Sequence, residues 1–104
     1  MSEFENVTVH KEANVYFEGK VISRTVIFAD GSKKTLGVML PGEYEFNTDQ
    51  KETMDISSGE VEVLLPEAPD WTRIENGTSF EVPANSAFKI KIHQITNYCC
   101  SYID

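Results

Sequence analysis

Apolar and polar residues alternate in short runs along this chain, and turn-forming residues cut the runs about every eight to twelve positions. Glu60-Val61-Glu62-Val63-Leu64-Leu65 is the plainest case, with Val61, Val63 and Leu65 on one face. From Ala87 to Ile95, Phe88, Ile90 and Ile92 alternate with Lys89, Lys91 and His93. Val15 to Phe28 is denser in β-branched residues, and Val15, Phe17, Gly19, Val21 and Ile27 mark its predicted inward face. Asp30-Gly31-Ser32 predicts a hairpin turn into Lys33–Leu40, which Pro41-Gly42 ends before Glu43-Tyr44-Glu45-Phe46 continues extended. Thr53–Ser57 reads as a short strand closed by Ser58-Gly59. Pro66 and Pro69 bracket a loop before Trp71–Ile74, and Asn76-Gly77 turns into Ser79–Val82. Pro83–Ser86 makes another turn, and Tyr98–Ile103 is the last strand. No stretch carries a helical period.

Many short strands with frequent turns in 104 residues predict an all-β domain, either a sandwich or a jelly-roll barrel. An immunoglobulin-like sandwich is the competing all-β reading. Residues 1–13 read as an arm, loose or exchanged between subunits, and residues 14–104 as a single barrel domain.

Composition narrows the function classes. With 40% hydrophobic residues the chain has the makings of one modest core. A net charge of −8 argues against nucleic acid and against an anionic membrane surface as partners. No apolar run approaches the ~20 residues that span a bilayer, and the polar, acidic first residues do not resemble a signal peptide. Cys99 and Cys100 are adjacent, so on a strand they point to opposite faces, and a mutual disulfide would be strained. Two free thiols point to a reducing cytoplasm.

Two segments carry a recognisable frame. Gly37, five residues, Glu43-x-Glu45, then Glu52, six residues and Gly59 resembles the first motif of the cupins, small β-barrels in which the first two of those carboxylates would be histidine ligands. Gly77, five residues, then Pro83 and Asn85 resembles the second motif, with Phe88 where its histidine belongs. The resemblance implies a cupin-type jelly-roll barrel. Glu, Glu, Glu and Phe at the ligand positions predict that it works with no metal and no other cofactor.

The ordered set over residues 15–102 is more specific. It runs Tyr16-Phe17, Gly19-Lys20-Val21, Gly37-Val38-Met39, Pro41 to Phe46, Glu52-x-Met54, Ile56 to Gly59 and Val63 to Pro66. It continues with Asp70-Trp71, Phe80-x-Val82-Pro83, Ser86-x-Phe88 and Tyr98-x-Cys100-x-Tyr102. It closely resembles the pyrimidine/purine nucleoside phosphorylases, small single-domain cupins. That resemblance implies phosphorolysis of diverse nucleosides by inorganic phosphate, giving free base and α-D-ribose 1-phosphate. A homodimer is expected, because small cupins often pair barrels and because pairing removes open sheet edges.

Phosphorolysis needs a held anion, gripped ribose hydroxyls and a donor for the departing base. Lys20 and Arg24, four residues apart, are the candidate phosphate contacts. Glu43 and Glu45 share a face by the two-residue period, and at the cupin ligand positions that face should be the barrel interior, making them the candidate catalytic carboxylates. Tyr44, Trp71 and Phe88 are candidates to offer an aromatic face to the base. Glu52 is a weaker candidate, His10 and His93 are lone histidines without catalytic spacing, and Lys33, Lys34, Lys89 and Lys91 read as surface alternation. Two rivals remain open at this point: a carboxylate-ligated metal enzyme using Glu43, Glu45 and Glu52, and a non-catalytic sugar- or nucleoside-binding module.

Overall fold

The computed structural model describes residues 3–103, and among them nine strands account for nearly all regular structure. They are β1 Thr8–Val9, β2 Asn14–Tyr16, β3 Val21–Ile27, β4 Lys33–Met39, β5 Gly42–Asn47, β6 Lys51–Leu64, β7 Thr72–Ile74, β8 Thr78–Val82 and β9 Ala87–Ile103. All pairings are antiparallel.

Two long strands organise the barrel. β6 has 14 residues and β9 has 17, and they pair along almost their whole lengths. The sequence splits each into two strands, at Ser58-Gly59 and after Ile95. The structure keeps each continuous and bends the pair instead, through register shifts between Ile56 and Val61. Gly59 is required at this bend. Its φ is +131°, and an added Cβ would lie 2.8 Å from Cα and Cβ of the fully buried Thr96. Beyond the bend, β5 and β7 flank the ribbon. Before it, β4 and β8 flank it, and β3, β2 and β1 follow outside β4. The two halves fold face to face, the expected jelly roll.

The core follows the period of two. Val61, Val63, Phe88, Ile90 and Ile92 are buried as the alternation predicts, and fully burying such a side chain is worth ~1.5–3 kcal/mol. The Asp30 turn closes with Phe28 N–H donating to Ser32 O and Ser32 N–H to Asp30 Oδ1, each at 2.9 Å. Asn85 takes the left-handed conformation its place in the second motif suggests, with φ +52°.

The predicted strand Val15–Phe28 is interrupted. Phe17, Glu18 and Gly19 form one tight turn with φ of +51°, +58° and +94°. The turn resets the face, so Val15 and Phe17 are exposed while Val21 is buried. The arm lies along its own chain. Thr8 and Val9 pair with Ile27 and Val26, and Phe4 packs edge-on against Phe28. Met1, Ser2 and Asp104 lie outside the described residues.

Candidate functional site

The inner face of the β2-β3-β4-β9-β6 sheet is unusually polar for a barrel interior. Register sets Asn14 beside Ser23, Thr25 beside Thr35, Thr35 beside Cys100, and Tyr102 beside Glu52. Each of these side chains lies on the face that Val21 and Met39 bury further along. The opposite wall is aromatic, with Phe46 and Phe88 stacked at 5.7 Å. Between the walls is a cavity of about 140 Å³ lined by Ser23, Thr35, Glu52, Cys100, Tyr102 and the two rings, together with Tyr98, Met54 and Asn47. It continues past Tyr16, Thr35 and Tyr102 into an outer groove of about 360 Å³, whose lining also includes His10, Asn14, Thr25, Lys33 and Gln50. Together the two spaces fall in the ~300–1,000 Å³ range of small-molecule sites.

Local sequence explains the polar ladder. Tyr98, Cys100 and Tyr102 are two residues apart on β9, so all three face inward, while Cys99 faces the other way. Tyr98 lies over Gly37, where an added Cβ would meet its ring at 2.7 Å. Glycine at 37 therefore creates the space that Tyr98 fills. Asn14 Nδ2 donates to the Ser23 and Thr25 hydroxyls at 3.2 and 3.3 Å. Cys100 Sγ donates to Glu52 Oε1 at 3.4 Å, and the Thr35 and Tyr102 hydroxyls are 3.4 Å apart.

Burial sets the protonation states. It pushes the Tyr98 phenol up to about 12, with the hydrogen bond to Ser23 pulling the other way. It likewise pushes the Tyr102 phenol and the Cys100 thiol well above their ordinary ranges. These groups are neutral at pH 7 and act as hydrogen-bond partners; Cys100 is no thiolate nucleophile. The Glu52 carboxyl is also raised, mainly by burial, with a contribution from Asp49 and partly offset by Cys100. The pocket thus offers one carboxylate, several neutral hydroxyls and an aromatic wall. Such a set can grip a polyhydroxylated sugar and a flat heterocycle.

The residues singled out from sequence divide between this pocket and the outer surface. Phe88 lines the cavity. Tyr44 is buried beside it, but its hydroxyl is committed to Leu40 O at 2.6 Å. Glu43 and Glu45 do not face the interior as expected. They are exposed on the outer surface, opposite Lys91 and Lys89 in register, while Tyr44 and Phe46 take the inward positions. The glycine frame was right and the face was off by one residue, which in a strand exchanges inside for outside. Lys20 is exposed in the turn before β3, and Arg24 is exposed on the outward face of β3, with its Nε donating to Lys11 O at 3.4 Å. Trp71 sits outside the barrel under the Lys91 ammonium, 4.2 Å from the ring centroid.

Sequence reasoning ranks Glu52 low, reads Lys33 as surface alternation and does not single out Ser23, Thr35 or Asn47. For Ser23, Thr35 and Glu52 the signal is parity: Ser23 shares a face with Val21, Thr35 with Met39, and Glu52 with Met54 and Ile56. Asn47 has the parity of the outward Glu43 and Glu45, and no sequence signal finds it. With Glu52 inside and Glu43 and Glu45 outside, these three carboxylates cannot share a metal. Among the described residues no group of three or more His, Cys, Asp or Glu is placed to hold one.

Comparison with known proteins agrees with this architecture. The family model of the pyrimidine/purine nucleoside phosphorylases matches residues 11–102. A Geotalea uraniireducens protein named pyrimidine/purine nucleoside phosphorylase is 62% identical over 104 residues, covering 100% of both chains. One of the same name from Wolinella succinogenes is 59% identical, covering 99% of this chain and 98% of its own. Among solved structures, a protein of unknown function from Acinetobacter sp. ADP1 superposes with a TM-score of 0.95 at 45% identity, over 97% of this chain and 98% of that one. The cupin domain of Schizosaccharomyces pombe Cnp3 has a TM-score of 0.66 at 16% identity, over 88% of this chain and 64% of that one, and so shares the fold.

Proposed function

The chain belongs to the pyrimidine/purine nucleoside phosphorylase family, and we propose that its barrel cavity is where purine and pyrimidine nucleosides are cleaved by inorganic phosphate to free base and α-D-ribose 1-phosphate. The observation that carries the placement is the pairing of an aromatic wall, Phe46 and Phe88, with a facing ladder of hydroxyls around the single carboxylate of Glu52.

The reaction is a pentosyl transfer. A phosphate oxygen bonds to C1′ as the C1′–N bond breaks, and the electron pair leaves with the base. The proton that phosphate sheds on bonding balances the one the base takes up. Positive charge grows on the sugar ring during the step. In our reading Glu52 faces the sugar, accepts hydrogen bonds from its hydroxyls and stabilises that charge in a partly dry cavity. Tyr98 and Tyr102, held neutral by burial, donate hydrogen bonds without competing for the proton. Phe88 and Phe46 offer stacking surface, which tolerates both ring sizes because every base has a π-face. Catalysis then rests on positioning and electrostatics.

The same reading makes the protein a cytoplasmic homodimer. Two reduced, buried cysteines support the compartment, and Leu36 and Ile95, exposed at 42% and 57%, support pairing of barrels.

The test is to incubate purified protein with uridine and with adenosine, with and without inorganic phosphate, and to follow base and ribose 1-phosphate. Phosphate-dependent release from both nucleosides is expected. Equal base release without phosphate would make the reaction hydrolysis. No release would favour a binding module.

A further inference from the structure

Resting on that reading, we propose that the outer groove is the inorganic phosphate site, with Lys33 as its cation and His10, Thr25 and Thr35 as its hydrogen-bonding wall. A nucleoside has its base on the β face of the sugar, and the product carries phosphate on the α face. Attack must therefore come from the side opposite the base. The pocket has two ends to meet that demand. The inner cavity carries the stacked aromatics, and the outer groove opens from it past Tyr16, Thr35 and Tyr102. A sugar seated between them has the base on one side and the groove on the other.

Charge selects the same end. The chain carries −8 overall, yet the basic side chains lining the groove, Lys33 and His10, face no carboxylate in its lining. Lys33 forms no ion pair among the described residues. Other basic groups are placed elsewhere, Lys20 and Arg24 among them on the outer surface. Lys51 pairs with Glu81 at 3.3 Å, Arg73 with Glu75 at 3.7 Å, and Lys91 lies over Trp71. Lys34, one residue from Lys33 and so on the opposite face, sits between the Phe4 and Phe28 rings. Thr25 and Thr35 bring hydroxyls to the groove from adjacent strands. Glu52 lines the inner cavity, where its charge disfavours a phosphate entering that end.

The experiment titrates inorganic phosphate into wild type, Lys33→Met, Lys33→Arg and a surface control, Lys89→Ala, by calorimetry with and without a nucleoside. It also measures KM for phosphate and for uridine separately, after circular dichroism has confirmed each fold. Losing a charge-assisted contact should raise the phosphate KM about tenfold or more in Lys33→Met. The uridine KM should move less than about twofold, and arginine should restore most of the phosphate affinity. Lys89→Ala should match wild type. Unchanged phosphate binding in Lys33→Met, or a uridine KM that rises as far as the phosphate KM, overturns the site. The two readings fail separately. Lys33-dependent phosphate binding without nucleoside cleavage sustains the site and defeats the activity. Phosphate-dependent cleavage indifferent to Lys33 sustains the activity and defeats the site.

Discussion

Replacing Glu52 with glutamine removes one charge and almost no volume, so it isolates what the carboxylate does. If Glu52 stabilises charge that develops on the sugar, the loss falls on kcat, because the neutral ground state gains little from the charge. A hydrogen bond to a charged group is worth ~1.5–3 kcal/mol, which is roughly a 10–150-fold fall in kcat. Stability should move the other way. Burial raises the folded-state pKa of Glu52 above the ordinary carboxylate value. The folded protein therefore holds this proton more tightly than the unfolded chain does. The contribution of Glu52 to stability is full below the unfolded carboxylate pKa and is lost as pH rises through the raised folded value. Above the raised folded value the ionised group opposes folding, so Glu52→Gln should melt at or above the wild-type temperature there, and the difference should close toward acid. Steady-state kinetics and melting curves at pH 4 to 7.5 read both arms. A variant with wild-type kcat, or one whose Tm at pH 7 falls along with its activity, would refute the reasoning. Glu43→Gln, on the outer surface, should change kcat less than about threefold. A larger effect there than at Glu52 would return the site to the carboxylates chosen from sequence.

Gly59→Ala should destabilise the barrel by roughly 1–3 kcal/mol, because its Cβ would press on the Thr96 backbone where the two long strands bend; a Tm unchanged within about 4 °C would refute this. Gly37→Ala should displace the Tyr98 ring and cut kcat/KM by up to ~10²-fold, measured with uridine at saturating phosphate, while leaving an all-β circular dichroism spectrum. Both thiols are buried and held above their ordinary pKa, so an aromatic disulfide reagent at pH 8 should label neither within minutes in native protein and both in denaturant. Prompt native labelling of Cys100 would mean that the cavity wall opens.

The sequence alone determined the strand content, the turns at Asp30 and Asn85, the buried row of Val61, Val63, Phe88, Ile90 and Ile92, and the family. Each is local: alternation, turn chemistry and an ordered set of short motifs are written in neighbouring residues. What it could not settle was which residues face inward where the chain changes direction. The turn at Phe17–Gly19 resets parity before β3, and the turn at Leu40–Gly42 sets Tyr44 and Phe46 inside in place of Glu43 and Glu45. A strand has two equivalent faces, and only packing against the rest of the barrel chooses between them. The same choice made the site. Ser23, Thr35, Glu52, Tyr98 and Tyr102 come from four strands spread over most of the chain, and they converge because β9 lies between β4 and β6. That adjacency is a long-range pairing, set by the bend at Gly59 and by the core on either side of it. No window of the sequence contains it.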